Sequence, residues 1–307
     1  MEIIRDTKFQ LNKDTAVTIG KFDGIHRGHR ELLDRVLFRK DEGLSPTVFT
    51  FDKSPQELFS GRKLSSLTTM EEKIRIFEHL GVENLVIYPL TEESASISPE
   101  DYITNILCKQ MRMKYIVAGD DISFGHMGRG NAELLRSMSK IKDKERYKLE
   151  IIKKITIDGE EVSSSLIRSV VSEGDMEKAS KLIGVPYAVS GIVAHGRRLG
   201  REMGFPTVNL IVSEDKLMPP FGVYFTEVSV NGKHYNGITN IGTKPTVTDD
   251  NTVFAETNIL DFDSDIYGEQ ITVKLLKFHR REVKFSSVEE LKQQIDTDIY
   301  SGKEYFK

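Results

Sequence analysis

Two stretches of the chain concentrate residue types that can handle phosphate. The first is TIGKFDGIHRGHRELL, Thr18 to Leu33, in which His26 and His29 lie three apart around Gly28. That spacing puts both imidazoles at or just before a helix N-terminus, where N–H groups without intrahelical partners and the helix dipole favour an anion. Imidazoles held there can donate hydrogen bonds to a triphosphate and stabilise the charge that builds on pyrophosphate as the α-phosphate is attacked. Gly20 and Gly28 let the backbone come close to a nucleotide, and Lys21 adds a positive charge. Two histidines three apart also fit a metal, but zinc asks for further Cys, His or acid partners and the other histidines are scattered. The plainer alternative is a pair of surface histidines on a helix.

The second stretch is HGRRLGREMGFPTVNL, His195 to Leu210. Gly196, Gly200 and Gly204 alternate with Arg197, Arg198 and Arg201, a pattern that lets backbone N–H groups approach phosphate oxygens. Pro206 then presents Thr207 at the start of a strand, with Asn209 two positions on. Residues two apart in a strand share a side, so a hydroxyl and a carboxamide can meet one phosphate-bound Mg2+. The bland alternative is a glycine-punctuated surface loop with solvated arginines.

The elements that must position these residues differ between the halves of the chain. From Thr15 to Leu149, short apolar runs alternate with helical periodicity, which predicts a doubly wound parallel α/β sheet. Strands are expected at 16–19, 47–51, 85–88 and 115–118, and near 151–157 before an Asp158-Gly159 turn. Helices are expected from about Gly28 with Leu32, Leu33 and Val36 inward, from the capping box Thr69-x-x-Glu72 with Ile74, Phe77 and Leu80 inward, and from Ser98-Pro99 with Ile103, Ile106 and Leu107 inward. Ligands of such a sheet sit beyond the carboxyl ends of its strands. Two helices, 164–172 and 175–183, lead to Gly184-Val185-Pro186, where the domain boundary is placed: 1–184 and 185–307. Beyond it, six short strands at 188–194, 207–212, 222–230, 233–239, 253–260 and 270–278 predict a small antiparallel barrel with an Asn231-Gly232 hairpin. Ser287-x-x-Glu290 opens a closing helix with Val288, Leu291, Ile295 and Ile299 apolar.

The totals narrow the function classes. With 307 residues, 38% of them hydrophobic and 29% charged, the chain reads as an ordinary globular protein of about two domains. A net charge of -4 gives no basic field for nucleic acid or an anionic membrane. No run approaches the length of a membrane span or a signal peptide, and the one cysteine, Cys108, suits a reducing cytoplasm.

Both stretches resemble known enzymes. Gly196 to Asn209 matches the nucleotide-binding core of riboflavin kinases, G-x-x-x-G-R-x-x-G-F-P-T-x-N, and Gly20 to His29, G-x-F-D-G-x-H-x-G-H, resembles the FMN adenylyltransferase part of prokaryotic bifunctional FAD synthetases. The resemblance runs from about residue 14 to 300. It implies a Rossmann-like nucleotidylyltransferase domain followed by a riboflavin kinase-like barrel, with riboflavin, FMN, FAD and ATP as its small-molecule partners and Mg2+ as cofactor. By that resemblance Gly20, Lys21, Phe22 and Asp23 border ATP with His26 and His29, and Ser164, Ser165 and Arg168 of VSSSLIR hold its phosphates. In Gly119–Gly125, Asp121 sits near FMN or ATP and Phe124 stacks on the isoalloxazine, with a buried core ring as its rival. In the second half Gly196, Gly200, Arg201 and Gly204 cradle ATP, Thr207 and Asn209 hold the metal, Glu256 is the catalytic acid, and Arg281 contacts flavin or nucleotide. Segments 221–224 and 240–246 also match. Two departures stand out: Ser54 replaces the histidine of the family's F-x-P-H-P, and Ile122 stands where an aromatic is frequent. Alternatives to the bifunctional reading are a chain with one active module, a non-catalytic flavin-binding regulator, and another H-x-G-H nucleotidylyltransferase.

Overall fold

In the computed structural model, which describes residues 1–142, 144–194, 205–243 and 252–307, six strands of the first half form one parallel sheet. They are β1 (Glu2–Ile4), β2 (Thr15–Ile19), β3 (Ser45–Phe51), β4 (Asn84–Tyr88), β5 (Met113–Gly119) and β6 (Lys148–Ile152), ordered β1-β4-β3-β2-β5-β6. A parallel sheet is covered on both faces, so its inner strands are buried along their length; all five residues of β2 and of β4 are buried. The helices are α1 (Arg27–Phe38), α2 (Pro55–Ser60), α3 (Met70–Leu80) and α4, which starts at Pro99–Asp101 and continues as a π-helix over Tyr102–Gln110. The expected inward residues of α1 are buried, as are Ile103, Ile106 and Leu107 of α4. Helix α3 opens on the reciprocal cap: the Thr69 hydroxyl accepts from Glu72 N–H at 3.3 Å and the Glu72 carboxylate from Thr69 N–H at 3.0 Å. The chain leaves β2 towards β3 and β4, then crosses to β5 on the other side of β2, which creates a switch point at the carboxyl ends of β2 and β5.

One expected strand was placed wrongly. The run 151–157 divides: β6 ends at Ile152, and Thr156–Ile157 pairs instead with Glu160–Glu161 across Asp158 and Gly159, whose φ of 51° and 83° make the tight turn.

By internal contacts the chain divides into two units, Met1–Leu64 with Thr68–Ser163, and Ser65–Leu67 with Ser164–Lys307. The second contains α5 (Ser164–Glu173), α6 (Met176–Ile183) and a closed barrel of β7 (Tyr187–Ala194), β8 (Val208–Ile211), β9 (Gly222–Val230), β10 (Lys233–Thr243), β11 (Val253–Ile259) and β12 (Gln270–Arg281). The antiparallel order is β7-β8-β11-β10-β9-β12, closed by the β7–β12 pairing. Helix α6 packs on β12 and β7. In the barrel core, Thr226, Thr239 and Thr257 from three neighbouring strands are fully buried and joined hydroxyl to hydroxyl at 2.9 and 2.8 Å. Closing helix α7 (Val288–Tyr305) is capped by Ser287, which accepts from Glu290 N–H. Its expected apolar stripe is corrected at the first turn: Val288 is 61% exposed, while Ile299 packs against Val223, Phe225 and Ile238. The helix is held down instead by Gly302, where a Cβ would lie 2.2 Å from Ile238 Cδ1, and by buried Asp298, which accepts from Arg280 Nε at 2.9 Å and Nη2 at 2.6 Å.

Candidate active sites

The turn between β2 and α1 carries the first site. Phe22, Gly24 and Ile25 all adopt positive φ (49°, 87° and 38°), an unfavourable conformation for the two large residues that burial must hold in place. The turn delivers His26 as N-cap of α1, with no side-chain hydrogen bond in that role, and stacks its ring on His29 with centroids 3.8 Å apart. Close approach explains Gly28: a Cβ there would sit 3.2 Å from the His26 ring. Burial pushes His26 down to about 4, against the opposing pull of Asp23 and Asp121. Burial likewise holds His29 well below its ordinary value, assisted by His26 and Lys73. Both imidazoles are therefore neutral near pH 7, and each Nδ1 is buried without a hydrogen-bond partner among the described residues. A neutral, desolvated pair at a helix N-terminus suits an anion that brings its own acceptors.

Around this pair, Asp23 is buried and accepts from Thr68 N–H at 3.3 Å, while Lys21 is exposed. Phe22 does not face a ligand; it lies beneath His29 at 5.1 Å and meets Phe77 edge-on at 5.5 Å. Across the switch point Asp121 is exposed beside Lys154 Nζ at 3.5 Å, and its carboxylate closes over Gly119, where a Cβ would come within 2.9 Å. Phe124 is 4% exposed and tilts over Tyr102 at 5.4 Å, so in this state its ring belongs to the core. Ile122 packs on the same core. Ser54, the departure from F-x-P-H-P, caps α2: its hydroxyl accepts from Glu57 N–H and Glu57 answers to Ser54 N–H at 2.7 Å. In the second unit Ser164 and Arg168 are half-buried and Ser165 is exposed at the start of α5. Sequence reading missed Lys73, 8% exposed with Nζ donating to the Lys21 carbonyl at 2.8 Å. The signal was a lysine four residues before Phe77, on the side of α3 that should be apolar.

The barrel carries the second site. Thr207 Oγ1 donates to Glu256 Oε1 at 2.8 Å. Asn209 stands directly across from Glu256 in the β8–β11 pairing, and Asn240 faces Glu256 from the other side, so the three form one row across adjacent strands. Beside them is a cavity of about 270 Å³ whose lining includes Thr207, Asn209, Asp263, Asp265 and Tyr267. Among the described residues no three His, Cys, Asp or Glu side chains converge as a metal cage. The hydroxyl and carboxamide are hard oxygen donors of the kind Mg2+ accepts when phosphates and water complete its shell. Arg281 is exposed at the end of β12, next to the Arg280 that Asp298 engages. Gly196, Gly200, Arg201 and Gly204 lie outside the described residues, as do 244–246.

The chain thus combines a stacked histidine pair at the switch point of a parallel sheet with a Thr–Asn–Glu row in a small antiparallel barrel, two candidate sites in two different folds. The family model described as FAD synthetase matches residues 8–166, and the one described as riboflavin kinase matches residues 183–306. The bifunctional riboflavin kinase/FMN adenylyltransferase of Listeria monocytogenes is 34% identical over 99% of this chain and 96% of its own. That of Escherichia coli K12 is 36% identical over 95% and 92%. A crystal structure described as a macrolide-efflux protein from Streptococcus pneumoniae has the same fold, with a TM-score of 0.85 and 30% identity over 99% of both chains. Among the described residues of the present chain no helix is long and apolar enough to cross a membrane. The chain belongs to the bifunctional riboflavin kinase/FMN adenylyltransferase family.

Proposed function

We propose that the chain makes FAD in two steps, one in each domain, with the boundary after Gly184. The barrel passes the γ-phosphoryl group of ATP to the 5′-hydroxyl of riboflavin, giving FMN and ADP. The sheet domain joins the AMP of a second ATP to the phosphate of FMN, giving FAD and pyrophosphate. What supports the reading is that each half carries its own phosphate-handling group: the stacked neutral pair His26 and His29 in one, the Thr207–Glu256 contact in the other.

In the first reaction Glu256 accepts the proton of the attacking hydroxyl while Thr207 keeps the carboxylate in place. Thr207 and Asn209 would hold Mg2+, whose bound charge neutralises and aligns the phosphates. Gly196, Gly200, Arg201 and Gly204 cradle ATP, and Arg281 contacts flavin or nucleotide. In the second reaction His26 and His29 donate to the triphosphate and stabilise the departing pyrophosphate. Gly20, Lys21, Phe22 and Asp23 shape that pocket, and Ser164, Ser165 and Arg168 hold phosphate oxygens. Asp121 borders FMN, and Phe124 reaches the isoalloxazine by turning its ring off Tyr102. Both reactions are assigned to the cytoplasm, on small molecules, without nucleic acid or membrane.

Chromatography of flavins tests the assignment. Wild-type protein with riboflavin and Mg-ATP should give FMN and then FAD. Glu256→Ala should convert only supplied FMN, and His29→Ala should stop at FMN. A wild-type protein that binds flavin but converts neither substrate would leave the non-catalytic reading in its place.

A further inference from the structure

Helix α3 flanks the β2–α1 turn, and its buried polar residues are the capping Glu72 and Lys73. Phe77 is fully buried and Ile74 and Leu80 pack on the same cluster, yet Lys73, one helical turn before Phe77, is 8% exposed. A buried ammonium is unfavourable unless its donors and charge are used. Its Nζ donates to the main-chain carbonyl of Lys21 at 2.8 Å. That carbonyl belongs to the peptide leading into Phe22, the first of the positive-φ residues in the turn. Fixing the peptide fixes the direction from which Phe22 enters its left-handed conformation. The Phe22 ring then lies between Phe77 and His29, with centroids 5.5 and 5.1 Å away. Helix α3 thus reaches the histidine pair by two routes, one polar through Lys73 and one aromatic through Phe77. The ammonium also adds to the influences that keep His29 neutral.

We propose that Lys73 is a positioning residue for FMN adenylylation: its ammonium holds the strained turn from Lys21 to Ile25, which presents His26 and His29 to the triphosphate. The inference rests on the adenylyl-transfer reading of this site.

Full-length Lys73→Met and Lys73→Arg proteins test it. Methionine keeps the stem and loses the charge and the donor; arginine keeps both. FAD formation from FMN and Mg-ATP is followed for kcat and the KM for ATP over about pH 5 to 9, with FMN formation from riboflavin in the same preparations as the internal control. The methionine variant should lose about 10- to 100-fold in kcat with riboflavin phosphorylation unchanged, and the arginine variant should recover most of the loss. The acid limb of the methionine variant's profile should move to higher pH, because His29 without the nearby ammonium protonates more readily. The other charged or titratable groups facing the pair, Asp23 and Asp121 on loops and each histidine on the other, are left as they were. A methionine variant with wild-type kcat and profile overturns the proposal. An arginine variant as impaired as methionine overturns it too, as does a loss shared equally by both activities. Wild-type protein that makes FMN but never FAD sinks the adenylyl-transfer reading itself, and the proposal with it.

Discussion

Burial holds His26 and His29 neutral near pH 7, and that has a measurable cost. His26 is pushed down to about 4 by burial, while the unfolded chain keeps the ordinary value of 6.5. Between those values the unfolded state binds the proton more readily, so stability is full above about pH 6.5 and falls as pH drops towards 4. Thermal melts of wild type and His26→Gln at about pH 7 and about pH 5 should show a larger drop for wild type, and equal drops would contradict the burial argument. For the kinase, Glu256→Gln keeps the size and the hydrogen-bonding reach of the side chain and removes its basicity; riboflavin phosphorylation should fall by about 100-fold or more, with FMN adenylylation intact. The candidate site residues were readable as candidates because handling phosphate would call for rare types at fixed spacing, as in His26-x-Gly28-His29 and Thr207-x-Asn209. Lys73 was not, since a lysine on an amphipathic helix reads as a solvated margin until the burial of its partners is known. Nor was the placement of the Phe124 ring against Tyr102, which depends on a helix more than twenty residues away in sequence.

Single helices and strands were legible wherever a local rule fixes them. The Thr69–Glu72 capping box, the Asn231-Gly232 hairpin and the span of β9 all follow from short-range chemistry. The errors arose where tertiary partners decide. Val288 continues an apolar stripe but lies outward because α7 is anchored further along, by Gly302 and by Asp298. Asp298 receives Arg280 through two hydrogen bonds, has His279 Nε2 at 3.3 Å, and also accepts from Gln294 Nε2 at 2.9 Å. Removing the acid strands a largely enclosed guanidinium, so Asp298→Ala should destabilise the barrel by about 3 kcal/mol in denaturant melts, whereas an exposed surface acid would cost almost nothing. Ser54 belongs at this scale too. Where the family pattern places an imidazole, this chain has the first residue of a reciprocal helix cap, and its replacement by alanine should cost about 1 kcal/mol.

Across the whole molecule, two activities in one chain raise the question of how FMN passes from one to the other. Separate sites make release and rebinding the expected route. With labelled riboflavin and Mg-ATP, a pool of unlabelled FMN should dilute the label that reaches FAD, and undiluted label would show direct transfer instead. The passage from parallel sheet to barrel was visible as a change of period, from alternating strand and helix to strand after strand, while the contact division falls at Ser163/Ser164, ahead of the expected boundary after Gly184. The buried threonines of the barrel add something that division alone does not. Side chains alternate along β11, so a slip of one residue would turn Glu256 inward and Thr257 outward. It would also pull Thr257 away from Thr239 and break a run of hydroxyls that no apolar neighbour can replace. The run works as a proofreading gauge for the barrel: a chain assembled one notch out loses its buried hydrogen bonds and the Asn209–Glu256–Asn240 row together, so the same few atoms report on both.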